Sequence, residues 1–302
     1  MKNRPSYLEM HKNGALERRS RAALEKLSNC STCPRLCAVN RLSGEKGMCL
    51  TGRWAKVSSH GPHFGEESPL VGHHGSGTVF FTHCNLLCNF CQNYDISHLG
   101  RGHEVTDEAL GAIMLDLQNQ GCHNINLVTP SHVVPQILSA LNYAIDGGLN
   151  IPIVYNTGGY DALETLRWLD GIVDIYMPDL KFFSTRSAQA FCLPEDYGTV
   201  VRAAIKEMHR QVGDLVTTTA GIAVKGLIVR HLVMPHRLAD TEDVMAFLAN
   251  EISQNTYVNI MAQYHPCYMA HQVPELSGAI TRDDFREAVE HARRNGLHRI
   301  DR

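Results

Sequence analysis

An incomplete (β/α)6 barrel preceded by a small cysteine-rich module is the fold class that this sequence predicts, and three observations predict it. From Gly77 onward, short runs rich in Val and Ile alternate with amphipathic helical patterns, as buried parallel strands and their crossover helices do. Chemically special residues follow run after run: Cys84, Thr129-Pro130, Asn156-Thr157, Asp179 with Lys181, Pro235-His236 and His265. In a barrel the C-terminal strand ends converge on one mouth, whereas a doubly wound sheet gathers such residues at one switch point. Finally, seven of the ten cysteines sit in two tight clusters ahead of or just inside this pattern. The expected organisation is a helical segment at 1–29, a cysteine-rich module with a linker at 30–74, and the barrel at 75–302.

Taken in order, strands are predicted at Thr78-Phe81, Ile125-Val128, Ile151-Tyr155, Val173-Met177, Lys225-Val233 and Tyr257-Gln263. Thr106 reads as an N-cap with Asp107 and Glu108 in the first turn, and Gly121 as the stop. Ser131 is expected to open the next helix, which ends at Gly147-Gly148. Asp161 with Glu164 three residues on resembles a capping box. Helices over Asp196–Val212, Asp240–Ser253 and Thr281–Asn295 complete the set. The stretch holding His60, His63, His73 and His74 is rich in Gly and Pro and reads as a loop with solvated histidines. The basic residues Arg18, Arg19, Arg21 and Lys26 read as a solvated helix face.

A chain of 302 residues with 44% apolar content can bury one large core, and a net charge of −3 gives no reason to expect a nucleic-acid partner. No apolar stretch approaches the ~18 residues of a membrane span. The first 28 residues have no apolar signal core, so a cytoplasmic location is expected. Ten cysteines are many for such a protein unless some bind metal. The scattered Cys122, Cys192 and Cys267 read as small buried residues.

The sharpest motif is Cys84-x3-Cys88-x2-Cys91, directly after an apolar run. Three thiolates on one loop suffice for three irons of a four-iron cluster and leave the fourth open, which suits catalysis. A structural zinc wants four ligands, and no fourth Cys or His has an obvious spacing, although His73, His74 or His98 could in principle supply one from elsewhere in the sequence. A second set, Cys30, Cys33, Cys37 and Cys49, supplies four thiolates in twenty residues. That is enough for a closed site of zinc or of a second cluster, and the spacing does not choose. A cluster there could relay electrons or bind substrate, and zinc would staple a module too small for its own core.

With Phe90 just before its last cysteine, the three-cysteine loop resembles that of the radical S-adenosylmethionine superfamily. The likeness is to the group around the pyruvate formate-lyase activating enzyme, some of which carry a similar Cys-Pro-Arg-x-Cys leader, and it covers about 77–296. It implies a [4Fe-4S] cluster at Cys84, Cys88 and Cys91 that binds S-adenosylmethionine and cleaves it reductively to methionine and a 5′-deoxyadenosyl radical. Tyr155-Asn156-Thr157-Gly158-Gly159 and Met177-Pro178-Asp179-Leu180-Lys181 resemble the family's third- and fourth-strand segments. By that resemblance Phe90, Thr129, Asn156, Thr157, Asp179, Lys181, Arg230 and His265 face the cofactor, and Asn156, Thr157, Met177 and Asp179 surround a monovalent cation. The family has an Asp at the place of Asn156, and a Gly-Gly-Glu segment where this chain reads Val128-Thr129-Pro130. On the residues alone, Asp179 has a second reading as a loop cap, Arg230 as the partner of a neighbouring carboxylate and His265 as a structural histidine, while Met177 reads first as core filling. The expected activity is hydrogen abstraction from a protein or peptide, as in a glycyl-radical-enzyme activase, with a reductant such as flavodoxin or ferredoxin as partner. The alternatives are radical modification of a small molecule or nucleic-acid base, or an iron–sulfur electron-transfer protein.

Overall fold

The computed structural model describes residues 4–191 and 194–301, so Cys192 lies outside the described residues. Its strands are β1 (Ala55–His63), β2 (Ser76–Phe81), β3 (His103–Val105), β4 (Ile125–Val128), β5 (Ile153–Thr157), β6 (Ile175–Pro178), β7 (Val216–Thr217), β8 (Ala223–Leu232), β9 (Tyr257–Met261) and β10 (Ile300–Asp301). The sheet order is β10-β9-β8-β6-β5-β4-β2-β1-β3, with β7 paired to β8. From β2 to β10 every neighbouring pair along this path is parallel. The parallel strands therefore follow one another in sequence order, without the reversal that defines a doubly wound sheet. The sheet is a partial barrel, with the six predicted strands at its heart.

Period-two alternation sorts the strand residues between two environments. Tyr155, Tyr176, Leu227 and Val229 join the large core under the helices. Val154, Ile175, Met177 and Ile228 instead pack with Leu70, from the short helix Ser68–Val71, in a separate apolar cluster. Two residues further along each strand, on the face of that second cluster, come Asn156, Asp179 and Arg230. The apolar cluster is thus the floor of the barrel and the polar residues are the layer above it. Met177 belongs to the floor, as core filling.

Several expectations are corrected. The stretch of His60 and His63 is not a loop: it is the strand β1, antiparallel to β2 and to β3. Ser131 does not cap the helix Val134–Asp146, whose N-cap is Val133; its hydroxyl bonds Thr157 Oγ1 at 2.9 Å. Asp161 does not cap Leu163–Leu169 either, because its carboxylate accepts the Tyr155 hydroxyl at 2.8 Å and the Thr157 hydroxyl at 2.6 Å. The helix expected over Asp240–Ser253 is an α-helix Thr241–Phe247 that runs into a π-turn, Leu248–Ile252. Arg19 is not merely solvated: it donates to the carbonyls of Trp168 and Asp170 at the end of Leu163–Leu169. Cys122 is buried, whereas Cys267 is only partly so.

Candidate active site at the barrel mouth

The strand ends build one cavity of about 150 Å³, lined among others by Cys84, Cys88, Cys91, Thr129, Asn156, Thr157, Asp179, Lys181 and Arg230. Residues up to 146 positions apart in sequence thus meet where the parallel strands end. Phe90 does not line it; it is buried behind the cysteine loop, edge-on to Phe182 with ring centroids 5.9 Å apart. His265 does not line it either, and so departs from the expectation of a cofactor contact: it is exposed, with Nδ1 3.3 Å from Gln92 Nε2.

The cysteine loop is wound by two left-handed residues, His83 and Leu87, with φ of 64° and 61°. Cys84 Sγ accepts the backbone N–H of Leu86 at 3.4 Å, and Cys91 Sγ lies 3.1 Å from the Ser97 hydroxyl. Burial raises the Cys84 and Cys88 thiols, and Lys181 works against that shift at both. His98 reaches the thiols only through Ser97, whose hydroxyl is 2.8 Å from His98 Nδ1.

At the centre of the polar layer, Arg230 donates to Asp179 at 2.7 Å and to Asn156 Oδ1 at 2.6 Å, and its Nη1 lies 3.9 Å from Glu66. Lys181 takes the other oxygen of Asp179. Burial pushes the Asp179 carboxyl up, but Arg230 and Lys181 outweigh it and the net shift is down. Burial likewise pulls Lys181 down, and Asp179 more than restores it. The oxygens of Asn156 and Asp179 are therefore committed to two side-chain cations. These are the oxygens that the resemblance assigned to a monovalent cation, whereas Met177 sits in the apolar floor.

Sequence reasoning missed the acids beneath this layer. Glu66 and Glu67 follow β1 at the end of the barrel away from the cysteines, since His63 pairs with Ser76 at the start of β2. Glu66 lies 3.4 Å from Asn156 Nδ2, and Glu67 accepts from Asn259 Nδ2 at 2.9 Å. No spacing signalled them, because the hairpin that carries them was not legible. Tyr197 was missed too: its hydroxyl accepts the Lys181 N–H at 3.0 Å and faces the Gly158 and Asp179 carbonyls at 3.1 Å, tying two strand-end loops together. Thr129 holds a left-handed backbone, φ 59°, at the cavity wall. For a β-branched residue this costs of the order of 1–3 kcal/mol, and such strain clusters at functional sites.

Among the described residues, no three His, Cys, Asp or Glu side chains converge on a point suited to one metal ion. A four-iron cluster places its thiolates at outer corners, further apart than the ligands of a single ion. Three thiols lining a cavity of about 150 Å³, with an N–H, a hydroxyl and two cations nearby, leave room for a group larger than one ion, such as a cluster with an open iron.

No family model matches the chain. The uncharacterized protein MJ0674 of Methanocaldococcus jannaschii is 30% identical over 302 residues, which is 97% of this chain and 82% of the archaeal protein. The chain belongs to the family of that archaeal protein. Among solved structures, HydG, a maturase of the [FeFe]-hydrogenase, superposes with a TM-score of 0.51 at 12% identity, covering 72% of this chain and 48% of HydG. The chain thus spans about half of HydG, and the likeness shows the fold alone, the partial barrel described above. TsrM of Kitasatospora setae, a radical S-adenosylmethionine methyltransferase, follows at a TM-score of 0.45 and 14% identity over 64% of this chain and 37% of TsrM.

Proposed function

We propose that the protein is a radical S-adenosylmethionine enzyme that abstracts hydrogen from a protein or peptide, in the manner of a glycyl-radical-enzyme activase. The observation that carries this reading is the meeting of Cys84, Cys88 and Cys91 with Lys181, Asp179, Arg230 and Thr129 around one cavity at the barrel mouth. Cys84, Cys88 and Cys91 would hold a [4Fe-4S] cluster, which would pass one electron from an external reductant to bound S-adenosylmethionine and so supply the reductive cleavage chemistry. The protein's own part is to hold, orient and keep dry. Lys181 has ammonium N–H groups to spare beyond the one on Asp179, and they suit the methionyl carboxylate. The Thr129 hydroxyl and nearby carbonyls suit its ammonium, in place of the absent Gly-Gly-Glu acid. The polar layer of Arg230, Asp179 and Asn156 fixes the wall beside them.

A macromolecular substrate is favoured by the surface beside the cysteine loop. Tyr94 and Tyr268 stack with centroids 5.3 Å apart and remain more than a third exposed, next to exposed Leu99 and Met269. Aromatic and Met side chains presented together are typical of protein-binding surfaces. A small acidic electron carrier such as a flavodoxin or ferredoxin is the proposed reductant.

Nucleoside release tests the reading. After anaerobic reconstitution with iron and sulfide, the wild-type chain with dithionite and S-adenosylmethionine should yield 5′-deoxyadenosine, and Cys84→Ala should yield none. Equal release by Cys84→Ala would sink it.

A further inference from the structure

We propose that Ser97, oriented by His98, is the hydrogen-bond donor to the Cys91 sulfur and so tunes the reduction potential of a cluster held there. The inference rests on the reading that Cys84, Cys88 and Cys91 take a [4Fe-4S] cluster, and it adds two positioning residues that the cysteine motif does not contain. Cys91 Sγ lies 3.1 Å from Ser97 Oγ, and that hydroxyl lies 2.8 Å from His98 Nδ1. With a thiol at Cys91, either group can donate to the other. A sulfur bound to iron is a thiolate and has no proton to give, so the Ser97 O–H must then point at it. With that one proton spent, the Ser97 oxygen is left as an acceptor, and the ring nitrogen facing it must carry an N–H. Imidazole, hydroxyl and thiolate thus form a chain of donors that runs in one direction, toward the sulfur.

The fold holds this pair against the cysteine loop from two sides. On one side the His83 N–H donates to the Ile96 carbonyl at 3.0 Å, which bonds the residue before Cys84 to the residue before Ser97. On the other side the His98 ring packs on Tyr268 with centroids 4.4 Å apart. The Tyr268 segment is itself fastened to the loop, since the Met269 N–H donates to the Asn89 carbonyl at 2.9 Å. Tyr268 takes a left-handed backbone there, with φ of 52°, a conformation that bulky side chains rarely adopt. Ser97 is 8% exposed. A serine in a helical turn commonly bonds a carbonyl one turn back, whereas this buried hydroxyl faces a sulfur and an imidazole.

A hydrogen bond to a ligating sulfur withdraws negative charge from it, which favours the more electron-rich, reduced state of a cluster. Burial strengthens the effect, because little water is present to screen it. Cys84 receives a backbone N–H, that of Leu86, which is present whatever side chain residue 86 carries. At Cys91 the donor is a side chain, so its presence is set by the choice of residue 97. Loss of that donor should make the cluster harder to reduce.

The test is a redox titration of the full chain, reconstituted anaerobically with ferrous iron and sulfide and reduced with dithionite. The quantity followed is the part of the electron paramagnetic resonance signal that Cys84→Ala removes. Ser97→Ala is expected to move its midpoint to a more negative potential, and Ser97→Thr, which keeps the hydroxyl, to return it close to wild type. An unchanged midpoint in Ser97→Ala would overturn the proposal. Equal shifts in the Ala and Thr variants would overturn it too, because a packing role alone would produce them. Should Ser97→Ala not fold, His98→Ala gives a second measurement. It leaves the hydroxyl without the N–H that polarises and orients it, so the midpoint should again become more negative, and an unmoved one would contradict the proposal. The two readings fail separately: a signal indifferent to S-adenosylmethionine sinks the radical reading and leaves the midpoint shift in place.

Discussion

Arg230 shows how much of the site a single residue organises. Its side chain is 18% exposed and lies against Asp179, Asn156 and Glu66, which come from three separate stretches of the chain. Removing one partner of a buried pair leaves the other charge uncompensated, at a cost of about 3–5 kcal/mol. Arg230→Ala is expected to lose stability on that scale in denaturant melts, while the double variant Arg230→Ala/Asp179→Ala recovers part of it; a single variant within about 1 kcal/mol of wild type would deny Arg230 this role. Asp174 carries a pH signature. Burial pushes its carboxyl up from 3.8 to about 7, although it accepts the Ile153 and Ser6 N–H groups. The folded chain then holds this proton more tightly than the unfolded one. The contribution to stability is full below about pH 4 and is lost as pH rises through about 7. Relative to Asp174→Asn, the wild type should therefore lose stability between those values, and parallel melting curves would refute the shift. The thiols and the strand-end residues were legible at this scale because their chemistry is rare. Glu66, Glu67 and Tyr197 were not: a glutamate or tyrosine is ordinary until topology buries it without water.

At the scale of elements, the six barrel strands could be read because both faces are buried, which forces apolar runs. β1 could not, since its burial falls away after Val57 and its sequence there is Ser58-Ser59-His60-Gly61-Pro62-His63. β3 pairs only with Ala55–Val57, so the rest of β1 is an edge toward that side, where Pro62 is tolerated. Helix starts at Ser131 and Asp161 were misplaced because tertiary contacts claimed both side chains. The start at Thr281 was placed correctly, because its capping box with Asp284 is local and complete. Thr281→Ala should cost about 1 kcal/mol. Gly226, inside β8, is a harder constraint: at φ +122° a Cβ would lie 2.4 Å from the Asp214 carbonyl oxygen. Gly226→Ala should be distinctly worse than Thr281→Ala in thermal melts; the reverse order would mean that β8 shifts freely against the 214–217 segment.

For the molecule as a whole, the sheet order decided between two architectures that share the same local pattern. Alternating strands and helices serve a barrel and a doubly wound sheet alike, and the argument from special residues at every strand end pointed to the barrel. The structure agrees, and it adds a floor, a polar layer and a cysteine loop stacked along one axis. No described helix is long and apolar enough to cross a membrane. The N-terminal cysteine module lies against the Cys84–Cys91 loop through Arg35, so the two cysteine sets are neighbours rather than separate attachments. We propose that a cluster on Cys84, Cys88 and Cys91 keeps one iron open for S-adenosylmethionine. Electron paramagnetic resonance of the reconstituted, dithionite-reduced chain, recorded with and without S-adenosylmethionine, tests it most directly. The account predicts that part of the reduced-cluster signal shifts on addition of S-adenosylmethionine and that Cys84→Ala abolishes that part. A spectrum indifferent to S-adenosylmethionine would contradict it and make the protein an iron–sulfur electron carrier.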